Sequence, residues 1–347
     1  MMSKSNARAP WADFCRLIAM FGVICIHTAA PVFSKYHSNP LDEFLIANAI
    51  DSLARVSVPL FIMLSGALLL GKESSKGLVD ARDRIIKVAI PLLFWSFIYI
   101  FWTNYWARKS FDLFDTLISI CHAPVMHHLW FIYMIIGVYI VLPFLRVISS
   151  ALITDRKSAI YFFTLWFIVN SITIYYPIKF IQLLNLSNFL GWPGYFILGY
   201  YLSCSKFLLR INSSFYVLVF YLSSLCTFLI TWGLYVKSPI PIQTAYNYFS
   251  PNVLIASVGA FLYLRQIKVT IFFVKPLAFL SGIIFPIYFM HLLIIAVIEG
   301  GYLGFTITPY SIYPVVGILG LAFVTFFVSM LIAVLLKFIP YSSKIIG

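Results

Sequence analysis

Two ionisable side chains, Arg16 and His27, stand eleven residues apart in and around the apolar run Phe14 to Ala30. A helix turns by about 100° per residue, so eleven steps return His27 to nearly the face of Arg16, roughly 16 Å further along. An ionisable group at bilayer depth is costly unless protein or water shelters it, so the pair points to a site facing a cavity. An imidazole there can accept a proton or carry a transferred group, and a guanidinium can hold an anion. Arg16 lies only about one turn into the run and has a second reading, as an anchor whose head snorkels to the inner interface. His27 is too deep for that second reading.

Other groups gather at both ends of the apolar runs. Asp51 and Arg55 are four apart and can pair on one helix face, either neutralising the arginine or offering it to a substrate. Arg82, Arg84 and Lys87 lie across about a turn and a half and suit two roles. One is orientation by inward-facing charge; the other is a grip on the phosphates of an anionic nucleotide carrier. His122, His127 and His128 come just before LWFIYM, and His291 closes FPIYFMH as a second deep imidazole, for packing or for chemistry. No metal site is expected, because no acid or thiolate stands at a ligand spacing and neighbouring His127 and His128 diverge on a helix.

The elements that must position these groups follow from composition. The chain has 347 residues, 62% of them hydrophobic and 10% charged, with a mean hydropathy of +0.97. A soluble domain could not hide that much apolar surface, so the expected fold is an all-α, polytopic transmembrane bundle. Runs of suitable length predict about ten spans, near residues 12–31, 46–70, 86–107, 128–148, 159–177, 190–205, 214–236, 250–266, 277–298 and 312–336. Gly191, Gly194 and Gly199 around Pro193 predict a broken or re-entrant sixth segment. Ser65 and Gly66 predict a close approach of a neighbouring helix.

The net charge of +13 is scattered through short loops rather than gathered on one face, which argues for orientation and against nucleic acid. Placing the basic loops inside puts both termini in the cytoplasm. Pro31 and a polar stretch, rather than a cleavage site, follow the first run, so that run is expected to stay in the membrane. Four of the five cysteines fall in or beside apolar runs, and no disulfide framework follows. With no internal repeat or linker, residues 1–347 read as a single domain whose partner is the lipid bilayer. No residue pattern specifies an oligomeric state.

Taken in order, Arg16 with His27, VPLFIMLSG at 58–66, RDRIIKVAIPLLFW at 82–95, HLWFIYM at 128–134 and FPIYFMH at 285–291 resemble the acyltransferase 3 family of bacterial integral-membrane O-acyltransferases. The likeness runs from about Trp11 to Leu336 and is greatest to short members that acetylate surface or lipid-linked glycans, such as enterobacterial common antigen. The resemblance implies a multi-pass protein of the bacterial inner membrane, with acetyl-coenzyme A as acyl donor and no tightly bound cofactor. It implies a catalytic His27 with an essential Arg16, and a donor site at Arg82 and Arg84, here interrupted by Asp83. It implies roles for His128 and His291 that the family leaves less defined. The acceptor would be a glycan or lipid-linked sugar, and Arg55, His128 and His291 are candidates to stabilise an oxyanion. A secondary transporter for a small polar solute such as serine is the alternative from another class, because buried ionisable groups and a broken helix also suit alternating access. A flippase-like or structural partner in glycan assembly is a third.

Overall fold

A computed structural model describes residues 9–35, 40–71, 77–107, 112–176, 178–238, 240, 242–339 and 342–347. Among them every regular element is helical, as expected where each backbone polar group must be satisfied within its own segment. The first half comprises α1 (Pro10–Ser34), α2 (Leu41–Ala54), α3 (Ser57–Leu69), α4 (Gly77–Ala107), α5 (Leu113–His122), α6 (Trp130–Ile140) and α7 (Leu142–Thr154). Then come α8 (Arg156–Tyr175), α9 (Lys179–Leu183), α10 (Leu186–Cys204), α11 (Ser213–Lys237) and α12 (Pro251–Gln266). The chain finishes with α13 (Ile271–Ser281), α14 (Ile284–Glu299), α15 (Pro314–Leu336) and α16 (Ser342–Ile345).

Local signals set several boundaries. Pro10, Pro251 and Pro314 open their helices where the missing N–H has no intrahelical partner to lose. The Asp155 carboxylate caps α8 by accepting from the backbone N–H of Lys157 and Ser158.

Among the described residues six segments are long and apolar enough to cross a membrane, and eight if each of two bent pairs is one span. That is fewer than the ten read from the sequence. The eighth candidate, α12, has 16 residues, about 24 Å of helix against a hydrocarbon core of roughly 30 Å. The other is the sixth, α10, whose 19 residues do not figure among the spans, while the fourth survives as a bent pair that stops at Ile140, before α7 begins at Leu142.

The breaks also fall elsewhere than expected. Leu186–Cys204 runs unbroken through Pro193. The bends lie instead between His122 and His127, at 54°, and between Ser281 and Ile284, at 57°. A shorter interruption at Arg55 and Val56 separates α2 from α3. Each break carries one of the chemical groups singled out above or touches one.

Helix α1 is the hub, packed against α2, α3, α12, α13, α14 and α15. Helices α3 and α10 cross so closely that a Cβ on Gly66 would fall 1.7 Å from the Phe196 carbonyl oxygen. The crossing therefore needs glycine, which is how membrane helices gain backbone contact without a hydrophobic drive. Tight packing there holds α3 against the hub, with Ile62 and Met63 fully buried.

Candidate active site

Four imidazoles from three elements meet at one end of the bundle, the outer end by the charge asymmetry of the loops. The His27 ring on α1 lies 5.1 Å from His127, 5.2 Å from His291 and 6.4 Å from His128, centroid to centroid. His128 and His291 are 5.0 Å apart. His127 is exposed, His27 is half-buried, and His128 and His291 are buried. The depth of the four rings is thus graded from solvent to core.

The break before α6 makes this gathering possible. Residues His127–Leu129 form a 3-10 turn rather than α-helix, so both neighbouring histidines can face His27. The Trp130 backbone N–H closes the turn onto the His128 carbonyl, and the Tyr288 hydroxyl on α14 donates to the same oxygen, tying the turn to α14. Tyr99 on α4 braces the other side, donating from its hydroxyl to the Phe289 carbonyl at 2.7 Å and setting its ring 5.4 Å from that of His128.

Hydrogen-bond partners constrain what each ring can do. His291 Nδ1 lies 2.6 Å from the Tyr288 carbonyl oxygen, which can only accept, so Nδ1 carries a proton and Nε2 of the neutral ring offers a lone pair. Among the described residues that Nε2 has no hydrogen-bond partner, and neither nitrogen of His128 makes a close one. A neutral His128 carries one N–H, for which the nearby Phe289 backbone is a competing acceptor. His27 Nδ1 and His127 Nε2 are 3.3 Å apart, a long contact whose direction depends on the tautomer. If His27 donates, its Nε2 is left as a base, held in place by the outer histidine. The His, Cys, Asp and Glu side chains of the described residues do not converge in a group of three or more suited to a metal ion.

At the inner end Arg16 is pinned rather than free. Its Nη1 donates to Asp13 at 2.7 Å and to the Ser281 hydroxyl at 2.9 Å, and Ser281 donates to the same carboxylate oxygen at 2.7 Å. Ser281 ends α13 at the bend, so the break supplies a ligand for the arginine. From Arg16 a cavity of about 210 Å³ runs past Ser65, Ile135 and Tyr139 to Tyr288. Tyr288 is also the wall of the histidine cluster, its ring 5.8 Å from His291 and 5.6 Å from His128. The cavity thus ends one side chain short of the imidazoles.

The basic cluster opening α4 divides in two. Arg82 is two-thirds exposed and pairs with its neighbour Asp83, and Lys87 is exposed. Arg84 is drawn in, bound to Asp80 at 3.0 Å. Asp80 also takes Arg146 from α7, whose guanidinium reaches the Leu69 carbonyl as well. Arg84 Nε and Arg146 Nη1 keep no partner. Nothing in the spacing of Arg146 ties it to Asp80, 66 residues away along the chain.

Arg55 lies at the outer end. Asp51 holds it at 2.7 Å, and its guanidinium sits 4.5 Å above the Tyr246 ring. The structure therefore brings His27, His128, His291 and Arg55 to one end, and Arg16 and Arg84 to the other. It leaves Arg82 and Lys87 at the surface. His127, Asp13 and Ser281 were missed as partners. For Asp13 the signal was available, three residues before Arg16 on the same helix face.

The sequence model of the acyltransferase 3 family, described as an acyltransferase domain, matches residues 9–334, and the chain belongs to that family. It is a multi-pass membrane acyltransferase. Neither the curated proteins nor the solved structures contain a match to it.

Proposed function

We propose that the protein moves an acetyl group from cytosolic acetyl-coenzyme A to a hydroxyl of a cell-surface or lipid-linked glycan, within the bacterial inner membrane. The observation that carries this reading is the cavity leading from Arg16 to Tyr288, whose ring borders His128 and His291 of the histidine cluster. Coenzyme A is too polar to cross hydrocarbon, but its slender pantetheine arm can thread a passage of that kind. Arg84 and Arg146 would hold the phosphates at the inner mouth, with Arg16 beside the arm. Arg82 and Lys87, both exposed, would contribute attraction at longer range.

His27 is the general base in this scheme. As its neutral ring takes the proton from the acceptor hydroxyl, the oxygen attacks the thioester carbonyl and a C–O bond forms. The tetrahedral oxyanion accepts a hydrogen bond from the N–H of His128, with Arg55 adding positive charge nearby. His291 presents a lone pair rather than a donor, so its part is to orient the cluster. Collapse breaks the C–S bond, and the coenzyme A thiolate recovers the proton from the His27 imidazolium. The products are the ester and free coenzyme A, and every ring returns to its starting state. Base catalysis of this sort contributes about 10²- to 10⁴-fold in rate.

The test is purified, reconstituted protein given acetyl-coenzyme A and a lipid-linked glycan. Free coenzyme A released with acceptor-dependent stoichiometry supports the transferase. Accumulation of a small polar solute in the vesicles, without thioester consumption, would instead establish the transporter.

A further inference from the structure

Next to the histidine cluster stands a group of aromatic rings that the transfer scheme does not use. Trp130 follows His128 by two residues and begins α6, Trp192 comes from α10, and Tyr248 comes from the segment before α12. Their centroids are 5.3 Å apart for the two tryptophans, 6.0 Å for Trp130 with Tyr248, and 5.6 Å for Trp192 with Tyr248. All three are half-buried rather than sealed in the core. The Arg55 guanidinium lies 5.8 Å from the Tyr248 ring, which ties the group to the same pocket end as His27.

We infer that Trp130, Trp192 and Tyr248, edged by Arg55 and Asp51, form the subsite that holds a sugar ring of the acceptor. A pyranose ring has an apolar face of C–H bonds and a rim of hydroxyls, so it is matched by an aromatic floor and a polar edge. The edge here has the right chemistry. Arg55 Nε and Asp51 Oδ1 are both without a partner, one a donor and one an acceptor, and a hydroxyl is both at once. Buried polar atoms left unpaired cost stability, and a ligand that pairs them recovers it.

The floor is also held rigid. The Tyr195 hydroxyl donates to the Tyr248 carbonyl, Tyr246 donates to Asn48 Oδ1 at 2.6 Å, and Ser250 donates to the Thr244 carbonyl at 2.6 Å. A prebuilt floor loses little entropy when a ring settles on it. Tryptophans that merely anchor a helix in the headgroup region have no need to meet one another. These converge from three separate elements beside a paired arginine. The inference rests on the transferase reading for the sugar's fate, but its binding can be measured without turnover.

The experiment uses the full-length purified protein and a panel of methyl glycosides of common hexoses and N-acetylhexosamines. Glycerol serves as a hydroxylic control that has no ring. Binding is read by saturation-transfer NMR and by tryptophan fluorescence. At least one glycoside is expected to bind, and Trp192→Ala and Trp130→Ala are each expected to weaken it about tenfold, the loss of one good ring contact. Trp192→Tyr is expected to retain most of the binding, which separates a missing ring from a misfolded chain. Absence of glycoside binding overturns the proposal, as does an unchanged affinity in the alanine variants or an equal loss for glycerol. Glycoside binding without any coenzyme A release would leave the subsite standing and defeat the transferase reading instead.

Discussion

Replacing His127 with alanine separates a base from the group that orients it. His127 meets His27 through one contact of 3.3 Å, and its own ring is exposed. A single neutral hydrogen bond contributes about 0.5–1.5 kcal/mol, which converts to roughly 2- to 12-fold in rate. A long bond to an exposed ring, which water can replace, belongs at the low end of that range. His127→Ala is therefore expected to lower kcat a few-fold, whereas His27→Ala removes the base and costs about 10²-fold or more. Because one residue acts through the other, the double variant should be no slower than His27→Ala alone. The assay is coenzyme A release by reconstituted protein at saturating acceptor. A His127→Ala loss as large as that of His27→Ala would refute the reasoning. So would a double variant slower than His27→Ala by the full His127 factor.

Three further outcomes follow from the geometry. Arg84→Ala and Arg146→Ala should each weaken coenzyme A binding far more than Arg82→Ala, since Arg82 is exposed and paired only with Asp83; isothermal titration with coenzyme A reads the difference, and equal losses in all three would contradict the division of the cluster. Ser65→Trp should fill the 210 Å³ cavity and abolish turnover while glycoside binding persists, and normal turnover would show that the donor takes another route. Gly66→Ala should lower the melting temperature in detergent, because its Cβ would fall 1.7 Å from the Phe196 carbonyl oxygen and forced overpacking costs about 1–3 kcal/mol; an unchanged melt would mean that the crossing of α3 and α10 is looser than drawn.

His27 was legible because a polar residue deep in an apolar run has few innocent explanations, and His128 and His291 because each bounds an apolar motif that the family shares. Their meeting was not legible, since it depends on the 3-10 turn at His127–Leu129. Helical geometry makes adjacent histidines diverge, and that reasoning set His127 aside. Proline misled in the same way. Pro193 was read as a break, yet α10 continues through it, because neighbouring helices in a bundle can satisfy or shield the freed carbonyl. The bend at Gly282 and Ile283, which delivers Ser281 to Arg16, was written in the Ser281-Gly282 pair and in Pro286 just beyond it, a weaker signal than a proline among glycines. The partnership of Arg146 with Asp80 joins residues 66 positions apart, and only the fold brings them together. The all-helical class and the membrane location, by contrast, follow from hydropathy alone.

In the proposed mechanism donor and acceptor reach His27 from opposite faces of the membrane. Reconstituted vesicles loaded with acetyl-coenzyme A, with glycan acceptor supplied only outside and the protein's inner end facing the lumen, test it directly. The account predicts acetylated glycan in the outer medium and free coenzyme A inside. Turnover only when both substrates share one compartment would contradict it.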